Sequence, residues 1–91
     1  MVKNTYERNK IAEINSEAIL WDGLDNAIVG FTSDGKAVYD IEMMISIVWK
    51  NNQNYMTSDE AREWVDFNIL STYVGEHTPI NIWMFNQDEE E

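Results

Sequence analysis

Ninety-one residues fit one domain, and the 44% apolar content, with four Trp, four Tyr and three Phe, is enough to fill a small core. No cysteine is present, which excludes disulfides and thiolate metal sites. The net charge of −11 disfavours direct contact with nucleic acid or an anionic membrane and favours a basic protein partner.

The acidity is uneven. Residues 1–50 carry a net −3, whereas residues 51–91 carry −8, with Arg62 as their one base. No apolar run approaches the roughly 20 residues that span a bilayer. The N-terminal sequence lacks the apolar stretch of a signal peptide, so a soluble protein of the cytoplasm is expected.

Residues 1–16 read as a polar N-terminal arm, either frayed or a short helix supported by Glu7 and Lys10. Residues 18–21, AILW, have the character of a short strand, and DGLDN that of a turn. Residues 27–32 form a second strand, whose internal Gly30 marks a bulge or a close backbone approach. Asp34-Gly35 then joins it to KAVY as a hairpin, because Gly35 accepts positive φ.

Asp40 is placed to cap a helix on which Ile41, Met44, Ile45 and Val48 recur at helical spacing. Met43 and Ile47 widen that stripe, and NNQN ends it. Thr57 and Glu60 have capping-box spacing, which predicts a second helix over about residues 58–71. Ala61, Trp64, Val65 and Asn68 fall on its core face, with the Asn68 amide expected to tie the helix to a strand end. Asp59, Glu63 and Asp66 share a narrow arc on the other side. After Gly75, residues 78–85 predict a last strand with Pro79 at its start.

The expected fold is α+β: a small antiparallel sheet, made of the hairpin and the C-terminal strand, with two α-helices packed on one face. The expected organisation is an arm over 1–16, one domain over 17–86 and an acidic tail over 87–91.

The aspartates of residues 21–40 raise the question of a metal or phosphate loop. Calcium loops of the EF-hand type need alternating acids and a terminal Glu, but DGLDNAIVGFTS places apolar residues at the ligand positions. A phosphate cradle needs a Gly-rich loop with Lys before a helix, whereas these glycines lie between strands. His77 is the only histidine and is expected as a solvated loop residue; adjacent Glu76 would point to the other face of a strand. No nucleophile arrangement stands out, so no catalytic residue, metal or cofactor is expected. The four tryptophans are read as core, and any left exposed beside acids would mark an interface anchor.

Carboxylates at helical i, i+3 and i+4 spacing lie about 5–6 Å apart. Phosphates of duplex DNA recur about every 3.4 Å along each strand. Asp59, Glu60, Glu63, Asp66 and Glu76 are therefore the candidate partner-binding residues, a phosphate-like row offered to a basic groove. The structural alternative is a merely solvated helix face.

Four blocks, WDGLDNAIVGF, KAVYD, SDEAREWVDFNI and YVGEHTPI, resemble a family of small uncharacterised proteins of tailed phages, prophages and some bacteria. The matching positions include Asp22, Gly23, Ala27, Gly30, Tyr39, Asp40, Ala61, Phe67, Asn68, Gly75, Thr78 and Pro79, within residues 18–82. The resemblance implies a phage or mobile-element origin and transfers no activity or site. With the acidity, it leads to the expectation of an anti-defence or anti-CRISPR type inhibitor of a host nucleic-acid-binding protein. The alternative is an accessory or structural phage protein that associates with itself.

Overall fold

The computed structural model describes residues 2–85; the expected tail over 87–91 lies outside them. It is an α+β fold: helix α1 (Val2–Ile14), a 3-10 turn (Asp25–Ala27), strands β1 (Ile28–Phe31) and β2 (Ala37–Asp40), helices α2 (Ile41–Asn51) and α3 (Ser58–Val65), and strand β3 (Ile80–Ile82). A π-helical turn over Asp66–Leu70 prolongs α3.

Local chemistry sets the hairpin and both helix starts. Thr32 and Lys36 close the β1–β2 turn (Thr32 N–H to Lys36 O, 2.9 Å), and Gly35 takes φ +90°. A side chain at Gly35 would collide with Asn15, so that glycine also permits a close approach. The Thr32 hydroxyl donates to Asp34, and this bond chiefly holds the Asp34 carboxyl below its usual range. The ladder register shifts between Ile28 and Gly30, the irregularity expected at the strand glycine. Asp40 Oδ1 accepts from the Glu42 and Met43 amides at 3.0 and 3.4 Å. Thr57 and Glu60 form the reciprocal capping box, with bonds of 2.8 and 3.2 Å.

The core is one cluster. β2 contributes Ala37 and Tyr39; α2 contributes Ile41, Met44, Ile45 and Val48, as the spacing predicts. Ala61, Val65 and Ile69 complete it from α3 and its π turn, and α1 adds Ile11, which is 1% exposed. Of the two readings of the N-terminal segment the helix is the one found, over Val2–Ile14, and Arg8 is held to Asp25 at 3.2 Å.

Four expectations about the elements are corrected. Residues 18–21 are not a strand. The sheet has three strands in the order β1-β2-β3, and this segment is tied to it by side-chain hydrogen bonds in place of a ladder. The Trp21 amide donates to the Tyr39 hydroxyl (2.8 Å), and the Trp21 indole N–H donates to Asn81 Oδ1 (3.0 Å).

The sheet is mixed, since β3 runs parallel to β2, with Val38 opposite Ile80 and Asp40 opposite Ile82. After β2 the chain passes through α2 and α3 before returning, and such a crossover delivers a parallel strand where a hairpin would deliver an antiparallel one. β3 stops at Ile82 because its partner stops at Asp40, which turns to cap α2. Residues 83–85, expected within the strand, have no ladder there.

The core face of the later helix is also displaced. Asn68 is exposed and donates to the Trp64 carbonyl of its own helix (3.0 Å), while Ile69 is buried. The π turn has a wider period than an α-helix, so the inward position after Ala61 and Val65 becomes Ile69 instead of Asn68. Trp64, expected inside, is 42% exposed.

Candidate functional site

The capping box starts α3, and the Ala61–Val65–Ile69 stripe seats it on the core. That seating fixes which side faces outward. Asp59, Glu63 and Asp66 are all exposed on it, within the narrow arc given by about 100° per residue. Glu60 is exposed beside them, but one carboxylate oxygen is committed to the Thr57 amide. Arg62, the only Lys or Arg after residue 50, reaches toward α2 and pairs with Glu42 at 3.4 Å.

Glu76 belongs to a different place. It lies at the hairpin end of the sheet, in the loop that leads to β3. His77 organises that junction: its Nε2 is 3.0 Å from a Glu17 carboxylate oxygen and 3.7 Å from one of Glu76. The Glu17 amide donates to Asn15 Oδ1, which orients the Asn15 NH2 group toward Gly35 O (3.3 Å) and His77 Nδ1 (3.1 Å). This arrangement suits the tautomer with its proton on Nε2. His77 is therefore a half-buried joint between the end of α1, the hairpin and the β3 loop, in contrast to the solvated residue expected.

The acidic ridge is flanked by aromatic side chains. Glu60, Glu63, Asp66, Trp64 and Phe67 line a shallow hollow of about 490 Å³. Glu63 and Asp66 also border a second hollow of about 370 Å³, with Ile45, Leu70 and Trp83. Phe67 is 80% exposed and Trp83 is 57% exposed. Trp21 and Trp49 pack on the core, as expected of all four tryptophans; Trp64 and Trp83 do not share that fate.

Phe67 is not among the residues expected from sequence, although a signal for it exists. At about 100° per residue it falls between Glu63 and Glu60, inside the charged arc. Exposed rings among carboxylates can bury apolar surface and attract cations through the ring face.

Among the described residues, no group of three or more His, Asp or Glu is placed to hold a metal ion, and no helix is long and apolar enough to cross a membrane. No protein-family model, curated protein or solved structure matches this chain.

Proposed function

We propose that this chain binds and inhibits a host nucleic-acid-binding protein, as an anti-defence or anti-CRISPR type protein acting in the host cytoplasm. The observation that carries this reading is the exposed carboxylate row of Asp59 and Glu63 on α3 with Asp66 at the start of its π turn. The row would sit in a Lys/Arg groove shaped for phosphates and occlude it. The excess of acids after residue 50 supports fast, salt-sensitive capture of a basic surface. The phage setting rests on the resemblance of the four sequence blocks.

The test is a pull-down from host lysate at low and high salt, comparing the native chain with a D59K/E63K/D66K variant. The expected result is a basic, nucleic-acid-binding partner, lost with the variant although the variant melts normally. Capture that survives the charge reversal would remove α3 as the docking surface.

A second reading, a self-associating accessory or structural protein, is favoured by Trp83, Met84 and Phe85, all at least half exposed directly after the β3 edge. Light scattering separates the two: salt-resistant oligomers support self-association, and a monomer supports inhibition.

A further inference from the structure

Trp64 borders two hollows at once. On one side it joins Trp21, Ile47, Val48, Met56 and Ile69, with Asp22, Asn51 and Asn52 as the polar part of the lining, around a hollow of about 450 Å³. On the other it joins Phe67, Glu63 and Asp66 around the acidic hollow on α3. A half-exposed tryptophan thus forms the wall between an apolar site and a carboxylate-and-ring site.

We infer that these paired hollows dock a segment of a partner protein that carries an apolar side chain beside an arginine. The inference rests on the proposed capture of a basic protein and names the chemistry that protein must present. The hollow beside Met56 has room for an aliphatic side chain, whose removal from water needs no polar contact. The adjoining hollow suits a guanidinium: it is planar, lies flat on an aromatic ring and accepts a forked pairing with a carboxylate. A lysine ammonium would meet the carboxylates as a point charge, with less to gain from Phe67. Charge complementarity selects this occupant. A second copy of the chain would bring another −11, and a nucleic acid would bring phosphates to the same carboxylates.

The test uses three synthetic peptides of equal charge titrated into the full chain: alternating Leu and Arg, alternating Ser and Arg, and alternating Leu and Lys. Binding is read from tryptophan fluorescence and from the NMR shifts of the indole N–H groups. The Leu–Arg peptide is expected to bind about tenfold or more tighter than the Ser–Arg peptide, the gain of burying a leucine-sized side chain. That margin should persist at about 0.5 M salt, where purely ionic binding fades. The Leu–Arg peptide should also bind severalfold tighter than the Leu–Lys peptide.

Ile47→Gln should shrink the leucine margin, and Phe67→Ala, at an exposed position, should shrink the arginine margin. Equal binding of the Leu–Arg and Ser–Arg peptides, both released by salt, would overturn the inference and leave the acidic-face function standing. Failure of every peptide to bind at low salt would overturn both.

Discussion

The buried Tyr39 hydroxyl accepts the backbone N–H of Trp21 at 2.8 Å, and this bond fastens the irregular segment before the 3-10 turn to the central strand. The two rings lie 6.4 Å apart, tilted at 44°. Burial, as the main cause, pushes the Tyr39 phenol up to about 12 from its ordinary 10. The folded protein therefore holds this proton more tightly than the unfolded chain does. Its contribution is fully present below pH 10 and is lost as pH rises toward about 12.

Alkaline unfolding should accordingly lose about 2–3 kcal/mol of stability across that window through this residue. Tyr39→Phe should cost about 1–2 kcal/mol at neutral pH, because the Trp21 amide loses its acceptor. The same variant should show a flatter decline above pH 10. Urea titrations of both proteins across this pH range measure the difference.

The π turn is tested by two neighbours. Ile69→Ala should cost about 2–4 kcal/mol, as expected when a buried aliphatic leaves a cavity. Asn68→Ala should change stability by less than about 0.5 kcal/mol, since its amide is exposed. A regular α-helix would turn Asn68 inward as well and narrow that difference, and thermal melts of the two variants measure it.

At the hairpin, Gly35→Ala meets two obstacles: φ of +90° and the Asn15 side chain. Gly23→Ala meets only the first, because its φ of +79° faces open space. The backbone penalty is about 1–2 kcal/mol for each, so Gly35→Ala should be the more destabilising by an amount that reports the Asn15 contact. Chemical denaturation of the pair reads that amount directly.

Glu60 is both a carboxylate of the candidate face and half of the capping box. Thr57→Ala should cost about 1 kcal/mol of stability while leaving every charge of α3 in place. Binding to a basic partner should be unchanged in the folded fraction. A loss of affinity in that variant would mean that helix position, not charge alone, governs docking. Calorimetry below the melting range makes the measurement.

What could be foreseen from sequence follows how local each determinant is. Asp40, the Thr57–Glu60 box and the Asp34-Gly35 turn act within four residues of themselves, and all three are found where their spacing puts them. The direction of β3 depends on the path through two helices. The irregular path of residues 18–21 goes with the bonds of Trp21 to Tyr39 and Asn81, 18 and 60 residues away. Neither is written in its own segment. Asp59 and Glu63 are legible because regular periodicity fixes their phase up to Val65, and Asp66 is the first residue after it. Beyond it, the π turn changed the phase and hid Ile69. Only its charge relates Glu76 to the helix in sequence, whereas the His77 junction beside it joins residues distant in sequence.

Asp40 ends the β2 ladder opposite Ile82 and, through its side chain, starts α2. A single amino acid thus serves as the last rung and the first cap, with no spacer between. Inserting one residue at this joint would rotate the following helix by roughly 100° about its axis and swing Met44 and Val48 out of the interior. The connection over residues 52–57 is longer and bears mostly polar side chains. Length variation among descendants of this sequence should therefore accumulate between the two later helices and be purged at the strand-to-helix junction.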